Sequence, residues 1–158
     1  MDDTAKTVAT SQVEMIEIIF PNDANPLGNI FGGRVMQLID IVASIAAMRH
    51  CRNAVVTASM DRLDFVSPAY VGEVLILQAS VNYVARTSME VGVKVTAENP
   101  LTGERRHTAS SYVTYVAIDK NGTPMPVPRL QTETEEQQRR YRQAEERRNH
   151  RLKERAMK

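Results

Sequence analysis

Asp40 is the residue that most needs an explanation. Its neighbours Leu38, Ile39, Ile41 and Val42 are all apolar. An acid carried into such surroundings costs several kcal/mol, roughly, unless it is partnered or neutralised. Burial raises an acid's pKa, which suits a group that takes a proton from water. Gly32 and Gly33 stand just upstream, at the start of the same apolar run. Two glycines at a helix N-terminus let another molecule approach the unpaired backbone N–H groups, where the helix dipole favours an anion or a developing oxyanion. Tight packing or an unusual φ would explain the glycines equally well. Asn25 lies fifteen residues before Asp40. Its amide can orient water or a carbonyl, although asparagine in such a setting is first of all a turn residue.

Other candidates are few. His50, His107 and His150 are remote from Asp40 in sequence or lie in the tail, and the single cysteine, Cys51, reads as a buried small hydrophobe. No His/Cys cluster has metal-binding spacing, and neither a Gly-x-Ser-x-Gly elbow nor a phosphate-binding P-loop is present. Arg86-Thr87-Ser88 falls between two predicted strands. A guanidinium beside two hydroxyls can grip phosphate, but a polar hairpin tip is the commoner origin of such a triplet.

The elements that must position these residues follow from periodicity. Residues 11–20 are β-branched-rich and end at Pro21, predicting a strand. Residues 22–29 carry Asn, Asp, Pro and Gly, a turn. About five turns of helix run from the glycine pair to His50. Val35, Leu38, Ile39, Val42, Ile45 and Ala46 share one face, and Ile41 and Met48 are apolar too, so the helix reads as buried nearly all round. Arg49, His50 and Arg52 suit its C-terminal dipole. Strands are predicted at 54–66, 73–86, 88–98 and 105–118. The third of these sets Met89, Val91, Val93 and Val95 against Glu90, Lys94 and Thr96. A strand, a long helix and four strands with short turns make an α+β domain, one antiparallel sheet curved around one helix.

The expected organisation is a disordered lead over residues 1–10, a folded domain over 11–122, a Pro-rich connector over 123–131 and a charged helical tail over 132–158. In the tail Thr132 is the expected cap, with Glu135 three residues on. Its apolar stripe is sparse, predicting a solvated helix.

The bulk numbers bound the function. The chain has 158 residues, 42% hydrophobic and 25% charged, with a net charge of +1. That is one globular domain without the field expected of a nucleic-acid binder. Residues 129–158 hold ten Lys/Arg against six Asp/Glu, so what basic bias exists is in the tail. One cysteine, no secretory leader and no apolar run near the ~20 residues of a membrane span point to the cytoplasm.

Pro21-Asn-Asp-Ala-Asn25-Pro-Leu-Gly-Asn-Ile-Phe-Gly-Gly33, with Asp40 seven residues later, resembles the hotdog-fold acyl-CoA thioesterases, in particular the cytosolic acyl-CoA hydrolase branch. Arg49-His50-Cys51, Val56-Thr57-Ala58-Ser59-Met60-Asp61, Ser88-Met89-Glu90-Val91, Tyr112-Val-Thr-Tyr-Val116 and Gly122-Thr-Pro-Met-Pro-Val-Pro128 are similar to the same branch, so the likeness covers about residues 11–130. The resemblance implies the hotdog fold and hydrolysis of acyl-CoA to a free fatty acid and CoA. It implies a homodimer with joined sheets, assembled further into a trimer of dimers. It also implies a site at the dimer interface with Asp40 from one subunit and Asn25 from the other. Asp40 would be general base or nucleophile, Gly32 and Gly33 the oxyanion site, and Arg86, Thr87 and Ser88 contacts for the CoA phosphates. No metal or cofactor is implied; CoA is part of the substrate, and neither nucleic acid nor membrane is a partner. A hotdog hydratase or dehydratase is the first alternative, disfavoured because no histidine lies between Asn25 and Asp40. A non-enzymatic acyl-CoA sensor is the second.

Overall fold

The computed structural model describes residues 4–158. In chain order the elements are β1 (Lys6–Thr7), α1 (Val8–Ser11), β2 (Val13–Ile18), a 3-10 turn at Pro21–Asp23, α2 (Gly32–Cys51), β3 (Ala54–Phe65), β4 (Val74–Val84), β5 (Ser88–Glu98), β6 (Arg105–Ile118), β7 (Leu130–Gln131) and α3 (Glu135–Ala156). Five strands form an antiparallel sheet in the order β2-β4-β5-β6-β3. Helix α2 lies across its inner face, as the α+β pattern predicts.

The core is the meeting of two apolar surfaces. Val35, Leu38, Ile39, Val42 and Ala46 of α2 pack on Leu75, Leu77, Val81, Val91, Val93, Val95 and Val113. The period-2 alternation of β5 fixes which residues face inward, because a one-residue slip would expose all of them. The helix is not buried all round, however. Met36, Ile41 and Met48 are 44%, 40% and 39% exposed in the protomer. One sheet covers one side of a helix, and the other side stays apolar and open.

The expectations of a disordered lead, a solvated tail helix and a Thr132 cap are corrected. Lys6–Thr7 pairs in parallel with Leu130–Gln131, and Val8 is buried, so residues 4–10 are ordered where a disordered lead was expected. Residues 1–3 of that lead lie outside the described residues. The Pro-rich stretch is packed down: Met125 N donates to Ala117 O and Val127 N to Arg86 O. Prolines take away donors, but the non-proline residues between them supply enough to bind the sheet.

The tail helix is docked on the sheet's outer face. Ala144 is fully buried, Tyr83 and Tyr141 meet edge to face at 4.8 Å, and Arg151 bonds Asp61 at 2.6 Å. Arg147 makes a two-pronged contact with Glu90 at 2.7 and 3.0 Å and lies 3.6 Å above the Tyr112 ring. Glu90, expected on a solvent face, is 2% exposed because Arg147 and Asn82 cover it. A guanidinium fork replaces the apolar stripe as the docking device, which hydrophobic patterning does not detect. The cap is Thr134, not Thr132: its Oγ1 accepts from Gln137 N, and Glu135 and Glu136 then fall in the first turn where the dipole favours them.

Candidate functional site

Asp40 sits at the edge of the buried face of α2, half-buried. Strand register brings two hydroxyls to it. Thr57 of β3 pairs directly with Tyr115 of β6, beside a bulge at Ala58. Both donate to Asp40 Oδ1, Thr57 Oγ1 at 2.9 Å and Tyr115 OH at 2.6 Å. The Tyr115 hydroxyl also reaches Asp40 O at 2.8 Å. Tyr115 is fully buried, and burial together with the adjacent carboxylate pushes its pKa far above the usual phenol value. It is therefore a fixed donor. Asp40 Oδ2 has no protein partner among the described residues, so one oxygen is held and the other is open. Sequence reasoning missed Thr57 and Tyr115. Both lie in the quoted motifs, but only strand register shows that they meet Asp40.

Asn25 is held by its own turn. Its Oδ1 accepts from Leu27 N at 2.9 Å and Asn29 N at 3.2 Å. Two backbone donors fix which end of the amide is oxygen, so the outward group is Nδ2, a donor. It has no partner among the described residues. Asn25 can thus donate to a carbonyl oxygen or to water, and it cannot accept a proton from either.

The glycines open α2 as expected. Phe31 is the cap, and its carbonyl accepts from Arg34 N and Val35 N, leaving the N–H groups of Gly32 and Gly33 without partners among the described residues. Neither glycine has a positive φ. A Cβ at Gly33 would meet nothing within 4 Å, and at Gly32 only the Phe65 ring at 3.4 Å. Packing and backbone strain within the protomer therefore do not account for the pair. The free donors remain as the feature to explain. Asp23 ties the preceding loop to the helix start, pairing with Arg34 at 3.2 Å.

Asn25 and Gly32 line one cleft of about 370 Å³, with Ile30, Phe65, Ala69 and Thr108. Asp40 does not line it. Eight residues separate Gly32 from Asp40, about 12 Å along the helix axis. Within one protomer the carboxylate and the donors are apart. A larger cavity, about 840 Å³, lies on the outer face against α3 and is lined by polar residues such as Gln78, Ser80 and Lys94. It contains none of the candidates, so the smaller cleft is the relevant one.

Arg86, Thr87 and Ser88 form the β4–β5 tip. Arg86 is exposed, Thr87 and Ser88 are half-buried, and Ser88 pairs with Val116 near the C-terminal end of β6. Phe65 and Gly32 lie at the other end of the sheet. The protomer does not bring this tip to the cleft. His50, expected to act as a charge on the helix dipole, is fully buried. Its Nε2 bonds Pro128 O at 2.8 Å, Nδ1 has no partner, and burial lowers its pKa, so it is a neutral clip on the connector. Cys51 is 5% exposed, the small buried hydrophobe expected. Among the described residues no group of three or more His, Cys, Asp or Glu is placed to hold a metal, and no helix is long and apolar enough to cross a membrane.

The thioesterase superfamily profile matches residues 27–104. The chain is 48% identical over 133 residues to a Bacillus subtilis protein named acyl-CoA thioester hydrolase YkhA and marked uncharacterized, covering 84% of this chain and 74% of that one. It is 37% identical over 137 residues to the mouse cytosolic acyl coenzyme A thioester hydrolase, covering 85% of this chain and 36% of that longer one. Among solved structures it is similar to an apo-hexameric acyl-CoA thioesterase, at a TM-score of 0.93 and 44% identity, covering 98% and 99% of the two chains. It is also similar to an acyl-CoA hydrolase from Staphylococcus aureus in complex with butyryl coenzyme A, coenzyme A and coenzyme A disulfide, at a TM-score of 0.90 and 35% identity over 97% and 93%. That enzyme has been solved with alanine in place of an asparagine, an aspartate and a threonine. Those three positions have the same fifteen- and seventeen-residue spacings as Asn25, Asp40 and Thr57.

Proposed function

The chain belongs to the thioesterase superfamily, and on that premise we propose that it is an acyl-CoA thioester hydrolase whose working site is shared between two copies of the chain. One observation carries the mechanism: a carboxylate with one oxygen tied and one free lies on the same helix as unpartnered donors, yet about two turns away from them. A second copy can supply the missing half. Asp40 of one copy faces Asn25, Gly32 and Gly33 of the other. The spacing shared with the altered S. aureus residues supports the same set.

In this reading the thioester carbonyl oxygen accepts hydrogen bonds from the helix N–H groups and from Asn25 Nδ2. These donors strengthen as negative charge develops on that oxygen. Asp40 Oδ2 takes a proton from water as the water oxygen attacks the carbonyl carbon, or attacks that carbon itself to give an anhydride that water then opens. The C–S bond breaks, CoA leaves as a thiolate and is protonated, and the carboxylic acid remains. Thr57 and Tyr115 hold the carboxylate at the angle this requires. The chemistry draws on no metal or cofactor, and activity surviving exhaustive chelation tests that.

The assembly has physical support. β3 is an edge strand of twelve residues, a ready surface for joining two sheets. Met36, Ile41 and Met48 offer the apolar area a stable dimer covers, and a hexamer occurs in a similar thioesterase. A dimer forming a trimer of dimers is the proposed state, in the cytoplasm. Across that interface Arg86, Thr87 and Ser88 of a neighbouring copy are proposed to hold the CoA phosphates. Arg86→Ala should raise KM without lowering kcat.

The decisive experiment mixes two inactive variants. Asp40→Ala and Asn25→Ala should each lose most thiol release from acyl-CoA. Co-refolded, they should regain activity, because some interfaces then carry one intact site. No recovery despite proven mixed dimers would refute sharing. Hydration of an enoyl-CoA without thiol release would point to the hydratase alternative.

A further inference from the structure

Thr108 stands out at the inner end of the cleft. In the β5–β6 pairing Val95 faces Ala109 while Thr96 faces His107, so Thr108 is the extra residue of a bulge. The bulge breaks the in–out alternation and turns Thr108 inward next to Ala109; the two are 1% and 0% exposed. Bulges recur where a strand must re-aim one side chain. The carbonyl of the bulge residue is paired, since Thr108 O accepts from Val66 N at 2.9 Å. The side chain does not: Thr108 Oγ1 is buried with no partner among the described residues. A buried hydroxyl left without a partner is destabilising, and such groups are rare in folded proteins.

The surroundings suggest what it pairs with. Thr108 lines the same cleft as Asn25 and Gly32, whose walls carry the apolar Ile30, Phe65, Val66, Pro68 and Ala69 beside Asn29 and Ser67; the Ser67 hydroxyl is already spent, donating to His107 O at 2.7 Å. A thioester carbonyl held at Asn25 and Gly32 would send its acyl group along these apolar walls. Ala69 and Thr108, both almost fully buried, close the inner end. A plain alkyl chain reaching that end leaves the hydroxyl unpaired. A chain bearing its own hydroxyl or keto oxygen satisfies it.

Resting on the acyl-CoA hydrolase reading, we infer that Thr108 is a specificity-determining residue: its hydroxyl hydrogen-bonds a polar substituent on a short acyl chain. Hydroxy- or oxo-acyl-CoA is then preferred to the unsubstituted thioester of equal length. A site that hydrogen-bonds a substrate group discriminates against the analogue lacking it, because the protein group is left orphaned.

The test compares 3-hydroxybutyryl-CoA with butyryl-CoA in the wild-type protein, Thr108→Val and Thr108→Ser, reading kcat and KM by thiol release. Valine keeps the branched shape and removes only the orphaned hydroxyl; melting curves check that it folds. The wild type should favour the hydroxyacyl substrate by about tenfold in kcat/KM, the worth of one net neutral hydrogen bond. Thr108→Val should abolish the preference through KM, and Thr108→Ser should keep it. A preference unchanged in Thr108→Val, or absent from the wild type, overturns the inference. Failure of the wild type to hydrolyse either substrate counts against the hydrolase reading instead. Calorimetry of both acyl-CoAs on Asp40→Asn protein, with and without Thr108→Val, then decides on Thr108. Tighter hydroxyacyl binding lost with valine supports it, and equal binding overturns it.

Discussion

Tyr115→Phe isolates the contribution of a single hydroxyl to the carboxylate. The ring is fully buried and phenylalanine has its shape, so no cavity opens. What disappears is the 2.6 Å bond to Asp40 Oδ1 and the 2.8 Å bond to Asp40 O. Thr57 stays on Oδ1 at 2.9 Å, so the carboxylate oxygen is not orphaned. A hydrogen bond to a charged group is worth about 1.5–3 kcal/mol. If that energy orients Asp40 in the transition state, kcat should fall by roughly 10- to 150-fold. KM should be little changed, because Tyr115 does not line the cleft. The assay is steady-state thiol release with a melting curve as control. Thr57→Val should act on the same oxygen, so the double variant should lose much less than the product of the two single losses. A Tyr115→Phe enzyme within twofold of wild-type kcat, or strictly multiplicative losses, would refute a shared positioning role.

Three further outcomes follow from the same structure. Gly33→Ala meets no atom of its own protomer, so the helix should gain up to about 1 kcal/mol by urea titration; thiol release should nevertheless fall, because the methyl crowds an approaching thioester. Arg147→Ala leaves Glu90 buried without its cation and should cost about 3 kcal/mol, reduced from the fully buried case by the 24% exposure of Arg147, whereas Arg142→Ala on the exposed face should cost almost nothing. His50 has its pKa lowered by burial, so the unfolded chain binds the proton more readily. Stability should hold above the ordinary histidine value of 6.5 and decline as pH drops below it toward the lower folded-state value. His50→Gln, which can still donate to Pro128, should flatten the melting temperature across that window.

Much of this protein is legible in one dimension because two signals are local. Alternation along β5 and the 3.6-residue stripe of α2 depend only on neighbours in sequence, and they place Val35, Leu38, Ile39, Val42 and Ala46 with Met89, Val91, Val93 and Val95 in the core, while Ile45 of the same stripe is only half-buried. Asp40 and the glycine pair stand out for the same reason: each departs from the pattern around it. The corrected features are those whose partners are distant. Glu90 looked like one more outward-facing residue because its cover, Arg147, lies 57 positions on. Lys6–Thr7 looked like a free end because its partner is Leu130–Gln131.

The sequence by itself determined the α+β architecture, the long apolar helix and the residues that break its pattern, since periodicity and propensity act over a few residues. Only the tertiary structure decided which oxygen of Asp40 is held and by what, because Thr57 and Tyr115 reach it through strand register. Strand register also decided that Thr108 turns inward, through a bulge that appears only when β6 is laid beside β5. Separation in space decided that Asp40 and the Asn25 cleft lie apart in the protomer, which is the physical reason to look for the second half of the site in another copy of the chain.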